Sequence, residues 1–244
     1  MARIFITGSA DGLGQMAAKL LIEKGHQVVL HARNKARGLQ AMDKVPGAET
    51  VLTADLSSTE ETRNLAAEVN ALGRFDAIIH NAGVYQASNK LIFAVNTLAP
   101  YILTSLTHKP KRLIYLSSGM HLQGDPSLKH LVPDTTHISY SDSKLHVLLL
   151  SMAVARRWTD VYSNAVDPGW VATKMGGHGA PDNLQKGVET QVWLAVSNEE
   201  KSKLSGRYFH HKREEHYLPK AGDASVQEKF LTLCEQITSI PFPG

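Results

Sequence analysis

Cysteine is almost absent from this chain. The one residue in 244, Cys234, rules out an intramolecular disulfide framework and a cysteine-rich zinc site. It falls in an apolar C-terminal helical pattern and reads as core. No apolar run approaches the length needed to span a bilayer. The opening residues, Met1 to Gly12, go straight into a strand and a turn. They lack the charged-then-apolar order and the cleavage site of a secretory leader. Charge of one sign is scarce too. Lys and Arg number 26 against 23 Asp and Glu, a net +3, with no basic block to mark a nucleic-acid surface. There is no repeat, low-complexity segment or linker. The expectation is a cytoplasmic protein of one domain, residues 1–244, with no nucleic-acid or membrane partner. Hydrophobic residues at 43% and charged residues at 20% fit an ordinary globular protein, and the length suits one large α/β domain.

What is present is alternation. Apolar strand-like runs (Arg3–Thr7, Gln27–Leu30, Thr50–Thr53, Phe75–Ile79, Arg112–Leu116, Ser163–Val166, Gly206–Phe209) are interleaved with helical patterns. The helices are expected over Gly12–Lys24, Ser57–Leu72, Asn96–Leu106, Leu145–Trp158, Gln185–Val196 and Val226–Thr238. Such alternation predicts an α/β fold, a doubly wound parallel sheet of about seven strands with helices on both faces.

Tyr140 and Lys144 stand four apart at the head of the fourth helix. That spacing puts both side chains on one helix face. A cation beside a phenol favours the phenolate and predicts a lowered Tyr140 pKa, the setting of a tunable acid. Two surface neighbours are the alternative, since four-residue matches are common.

The first strand runs into Thr7-Gly8-Ser9-Ala10-Asp11-Gly12-Leu13-Gly14 and then a helix. Glycines let backbone approach a diphosphate, and the free amides of the following helix favour its charge. A purely structural Gly-rich turn is the alternative. The second strand ends in His31-Ala32-Arg33, and no Asp or Glu occurs from Gln27 through Met42. In dinucleotide folds an acid here binds the ribose 2′-hydroxyl, whereas an Arg accommodates a 2′-phosphate. Arg33, with His31 nearby, therefore predicts NADP(H) in preference to NAD(H); an ordinary exposed Arg is the competing reading.

In order, TGSADGLG (7–14), ADL (54–56), NAG (81–83), Asn96, LSS (116–118), YSDSK (140–144) and DPGWVAT (167–173) resemble the short-chain dehydrogenase/reductase family over nearly the whole chain. The combination of PGWVATKMGG with Gly206-Arg207-Tyr208-Phe209 is most similar to carbonyl reductase and retinol dehydrogenase members. The resemblance implies a single-domain Rossmann fold and hydride transfer between the nicotinamide and a carbonyl or alcohol. It implies that Gly8, Gly12 and Gly14 line the diphosphate, that Ser9, Asp11 and Leu13 of the same turn also bind the cofactor, and that Asp55 and Leu56 contact the adenine. Asn81, Ala82 and Gly83 would border the adenosine ribose and hold the neighbouring strands. Pro168, Val171 and Thr173 would line the nicotinamide. Asn96, Ser118, Tyr140 and Lys144 are the implied catalytic set, with Tyr140 as proton donor and Lys144 also on the nicotinamide ribose. Asn96 would hold a water linking Lys144 to solvent. As local structure, Ser118 also reads as a cap or turn serine and Asn96 as a helix N-cap.

Two spacings depart from the family. Asn96 follows Gly83 closely, so the helix start there looks shortened. Ser118 and Tyr140 are separated by an insert, Met120–His137, expected to shape the substrate pocket. His121, His130, His137 and His146 cluster around it, yet their spacings are not ligand-like and no metal is expected. Substrate loops are expected at about 119–139 and 174–184, the second a Gly-rich lid. His210 to Glu215 reads as a solvated charged turn. The expected partners are a small, apolar carbonyl or alcohol and a second copy of the chain. A catalytically inactive NADP-binding regulator and an epimerase or dehydratase on the same fold are the alternatives.

Overall fold

Side chains alternate across a strand, so Ile4 and Ile6 enter one core while Phe5 enters the other. That pattern repeats along the sheet in this computed structural model, which describes residues 1–133, 135 and 137–244. The strands are β1 (Arg3–Ile6), β2 (Gln27–Ala32), β3 (Thr50–Thr53), β4 (Ala77–His80), β5 (Arg112–Leu116), β6 (Tyr162–Asp167), β7 (Arg207–His210) and β8 (Arg213–Glu214). Their order is β3-β2-β1-β4-β5-β6-β7-β8, parallel from β3 to β7. The sequence predicts about seven strands. The eighth is a two-residue antiparallel edge made where His211 and Lys212 turn the chain with positive φ.

The helices are α1 (Gly12–Glu23), α2 (Lys35–Lys44), α3 (Thr59–Ala71), α4 (Asn89–Ile92), α5 (Ala99–Leu106), α6 (Tyr140–Arg157), α7 (Leu184–Val196) and α8 (Ala224–Thr238). One core packs α3, α5, α6 and α8 residues against Phe5, Val29, Ile78 and Leu113. The other packs α1 and α7 residues against Ile4, Ile6, Val28, Leu30 and Ile79. Helix α6 is buried almost all round from Ser143 to Val154, as a helix between sheet and outer helices must be. Helix α2 is not foreseen, because KARGLQAMDK buries only Gly38 and Ala41 and carries no apolar stripe. None of the helices described is long and apolar enough to cross a membrane.

The expected helix at Asn96–Leu106 starts earlier. Ser88 caps α4, its side chain accepting from the Leu91 N–H. The chain then passes through a π-helical segment, Phe93–Leu98, into α5. Asn96 is therefore mid-helix, not an N-cap. Pro100 supplies the physical reason: it has no N–H to return to the carbonyl four residues back, and the register widens around it, with the Ala99 N–H bonding the Ala94 carbonyl.

Candidate active site

Seven parallel strands end on one edge of the sheet, and their carboxyl ends carry the predicted residues. The order reverses between β1 and β4, where an open α/β sheet has its ligand crevice. The turn after β1 is fastened there. Thr7 Oγ1 accepts from the Asn81 and Ala82 N–H groups, each at 3.0 Å. Asn81 Nδ2 donates to the Thr7 and Gly8 carbonyls at 2.9 and 3.0 Å. Ser9 Oγ accepts from the His31 N–H at 2.8 Å. A Cβ on Gly14 would run into the Asn81 side chain and the Gly8 carbonyl, so this crossing admits only glycine. Gly12 (φ +56°) faces the opposite way, and the one atom within 4 Å of its Cβ position is Thr173 Cγ2, at 4.0 Å. The turn is thus a cradle, closed behind and open toward Thr173, with the first amides of α1 aimed along it. These residues fit a nicotinamide dinucleotide.

His31 is not turned to that cradle. Its ring is buried, Nδ1 accepting from the Gly8 N–H at 3.0 Å and Nε2 3.1 Å from the Ala54 carbonyl. Burial lowers its pKa to about 4, so it stays neutral. Its geometry makes it a bridge across β1, β2 and β3, with no nitrogen left for a phosphate. Arg33 is exposed at the end of β2. Asp55 Oδ1 caps Ser57 and Leu56 is buried.

On the other side of the crevice, Lys144 is 5% exposed and its Nζ donates to the Leu116 carbonyl at 2.8 Å. Ser117 Oγ donates to the Lys144 carbonyl, tying β5 to α6. Tyr140 opens α6 behind a capping box made by Ser139 and Asp142. Lys144 Nζ lies 5.4 Å from the Tyr140 ring centre. Ser118 caps the short turn after β5, its Oγ accepting from the Met120 N–H. Asn96 folds back on Val84, accepting from its N–H at 2.8 Å and donating to its carbonyl at 3.0 Å. Gly83 adjoins both: a Cβ there would sit in ordinary contact, 3.4 Å from Asn96 Oδ1 and 3.6 Å from Lys144 Nζ.

The pair does not titrate as its spacing predicts. Burial raises the Tyr140 pKa, with Asp167 and Tyr85 adding to the shift. Burial lowers that of Lys144 to about 8. Two desolvated groups both favour their neutral forms, and the ammonium spends its hydrogen bond on Leu116. Tyr140 is held as a neutral phenol.

Leu13, Ser118, Tyr140, Pro168, Val171 and Thr173 line a single cavity of about 660 Å³. Residues 2–183 match the family profile described as short chain dehydrogenase. An uncharacterized oxidoreductase of Emericella nidulans is 46% identical, with all of both chains covered. A short-chain dehydrogenase of Penicillium rubens, chyC, is 45% identical over the same full coverage. This chain belongs to the short-chain dehydrogenase family. Human retinol dehydrogenase 14 is 29% identical over 97% of this chain and 86% of its own. In fold, an uncharacterized Mycobacterium paratuberculosis protein superposes with a TM-score of 0.83 at 22% identity, covering 100% of this chain and 96% of its own. A short chain dehydrogenase of Shigella flexneri complexed with NADP gives 0.66 at 19%, covering 87% and 97%. The protein is accordingly an oxidoreductase of a family that binds a nicotinamide cofactor and acts on small molecules.

The dehydrogenase's cavity wall departs in part from expectation. From the long insert, Met120 joins Gly119 in the cavity lining, while Leu128, Leu131 and Ile138 are buried in the core; Asp134 and Thr136 lie outside the described residues. His121 Nδ1 pairs with the Ser118 carbonyl and its Nε2 accepts from the Leu218 N–H. The 174–184 loop lies over the cavity: Met175 Sδ is 4.0 Å from the Tyr140 hydroxyl, and Asp182 Oδ2 accepts from the Trp170 N–H. His210 is at the end of β7 and lines the cavity, so it is no part of a solvated turn.

Sequence reasoning missed four neighbours. Arg37, in the first turn of α2, pairs with Asp11, as does Lys174 from the 174–184 loop. Its signal was Asn34 as a cap with Arg33 and Arg37 one helical turn apart. Tyr85 packs edge-on against Tyr140, ring centres 4.7 Å apart. Asp167, inside a quoted motif but given no role, lines the cavity beside Ser118.

Proposed function

We propose that this enzyme reduces a ketone or aldehyde to its alcohol with NADPH, and runs the reverse step when the alcohol is supplied. The observation that carries the reading is convergence: Ser118, Tyr140, Leu13 and Thr173 line one cavity, and the buried Lys144 holds its Nζ 5.4 Å from the Tyr140 ring centre. The cofactor, when bound, supplies the hydride.

As hydride reaches the carbonyl carbon, negative charge grows on its oxygen. Ser118 Oγ and the Tyr140 hydroxyl donate to that oxygen and are aimed before charge develops. Tyr140 then gives up its proton, completing the alcohol. The resulting phenolate is stabilised by Lys144, whose Nζ hangs beside the ring and is fixed by Leu116. Asn96, closed onto Val84 and Ser143, keeps the α4–α5 helix against α6 and so holds Lys144 in register. Met175 must leave the Tyr140 hydroxyl for a carbonyl to enter, which makes the 174–184 loop a lid.

NADPH in preference to NADH is supported by Arg33 and Arg37 at the adenosine end and by the missing acid after β2. The apolar lining, with Tyr85, Met120, Trp170 and Met175, supports an apolar substrate body.

The test is Tyr140→Phe. Cofactor absorbance followed over a panel of ketones and aldehydes should show turnover reduced roughly 10²–10⁴-fold, while fluorescence titration shows NADPH still binding. Turnover near the wild-type rate would refute the assignment of Tyr140.

A further inference from the structure

The wall formed by the ends of β6 and β7 is chemically one-sided. Asp167 Oδ1 is committed, accepting from the Gly169 N–H at 2.9 Å. Its Oδ2 points past Gly119, whose Cβ position lies 3.2 Å away. The Tyr208 hydroxyl is buried beside the same carboxylate, 1% exposed as a residue, yet makes no hydrogen bond of ordinary geometry. His210 Nδ1 is 3.2 Å from the Asp167 carbonyl oxygen. A carbonyl only accepts, so Nδ1 carries the hydrogen, which leaves Nε2 as the ring nitrogen able to accept. The cavity therefore presents two acceptors, a carboxylate oxygen and an imidazole nitrogen, in otherwise largely apolar surroundings. Beside them, after β5 and at the head of α6, stand the donors Ser118 and Tyr140, which the carbonyl oxygen uses.

A bound substrate body strips water from such acceptors, which is costly unless a donor meets them. We propose that Asp167 and His210 read a hydrogen-bond donor on the substrate: the enzyme's carbonyl compound carries a hydroxyl or protonated amine on its apolar skeleton, and that group lands on Asp167 Oδ2 with His210 Nε2 as second acceptor. This rests on Tyr140 addressing the carbonyl, which fixes where the substrate's reacting carbon sits. It adds a requirement that the Ser118, Tyr140 and Lys144 set does not impose. The donor requirement also discriminates sharply, because the ligand lacking it leaves buried acceptors unpaired.

Asp167→Asn is the decisive variant. Asparagine keeps an oxygen for the Gly169 N–H and turns the second position from acceptor to donor with almost no change in shape. Acetophenone, its three ring-hydroxylated isomers and its aminomethyl derivatives are compared with NADPH. The best donor-bearing ketone should exceed acetophenone in kcat/KM by about tenfold or more in the wild type, and Asp167→Asn should erase that ratio. His210→Phe should reduce it by a smaller, severalfold amount. The hydroxyl and amine series show which donor is used.

An unchanged ratio in Asp167→Asn overturns the proposal. So does a wild type that treats acetophenone and every derivative alike. A parallel rise in the NADPH KM would assign Asp167 to the cofactor's carboxamide and overturn it as well. Tyr140→Phe is run alongside: turnover there refutes the catalytic reading, whereas an inert Tyr140→Phe with an unchanged ratio refutes this inference alone.

Discussion

The two sides of the crevice are built to different standards. On the β1–β3 side, the glycine turn is locked by buried polar bonds from Thr7, Ser9, His31 and Asn81, every partner being backbone. On the β5–β7 side, the cavity is walled by Tyr85, Trp170 and Met175, exposed at 40%, 61% and 42%. Three bonds of Trp170, one to Gly176 and two with Asp182, help hold its covering loop. A ligand used at every turnover is best met by a site that is ready before it arrives, since ordering the site costs affinity. A covering loop must open to admit and release what is converted. The locked side suits the cofactor and the loose side suits the substrate.

Acid should produce the largest loss, through buried rings on both sides of the crevice, with His31 on the locked side among them. His31, His80 and His146 are buried and neutral, with pKa values lowered by desolvation to about 4, 3 and 4. In the unfolded chain each takes up a proton near pH 6.5. The unfolded state therefore binds more protons below that pH, and stability falls as pH drops from 6.5 toward 4. Each group is worth roughly 3 kcal/mol over that window, an order-of-magnitude figure. Urea unfolding at stepped pH should show the loss, and full stability should be present above pH 6.5. A flat profile down to pH 4 would mean that these rings are hydrated and the tight side is not tight.

Gly14→Ala attacks the locked side without titration. The new methyl must displace Asn81 or the Gly8 carbonyl, both of which hold the turn. NADPH affinity should weaken about 100-fold or more, the scale of losing several aligned hydrogen bonds. Unaltered binding would show that the turn can yield, erasing the contrast with the lid.

Arg33→Ala and Arg37→Ala sharpen the comparison within the locked side. Each removes one guanidinium from the adenosine end and should weaken NADPH about tenfold while leaving NADH within about twofold. Arg37 carries the further consequence of leaving Asp11 paired with Lys174 alone. Equal losses for both cofactors would move these residues off the 2′-phosphate.

How far the sequence could be read follows the same divide. Thr50–Thr53 and Arg112–Leu116 are strands with the bounds expected of them, because an apolar run between breakers carries its own signal. The glycine turn and the Tyr140–Lys144 pair are legible because each is local. Helix α2 escaped, since Gly38 packs on Thr53 and Val51 in place of an apolar stripe. Asn96 was misplaced as a cap because a π-helical segment has no period to recognise; Pro100 was its one visible mark. The direction of the Tyr140 shift was misjudged because burial is a tertiary fact. The cavity wall, drawn from Tyr85, Met120, Asp167, Trp170, Met175 and His210, is assembled from distant stretches that no spacing connects.

The mildest test is made on the loose side. Asp182 Oδ2 accepts from the Trp170 N–H, and a side chain at Gly169 would collide with that carboxylate. Asp182→Ala removes the acceptor, but Trp170 is exposed and water can replace it. The cost to the closed loop is about 1 kcal/mol, which should appear as a KM for the carbonyl raised roughly threefold to fivefold. NADPH affinity should stay within about twofold, because no bond of the glycine turn is touched. If Asp182→Ala instead weakens NADPH as strongly as it weakens substrate, the lid and the cradle are one mechanical unit. The link would then run through Lys174, which reaches from the lid to Asp11 in the glycine turn. Lys174→Met, which cuts that one bridge, would restore the separation if Asp11 is the point of coupling.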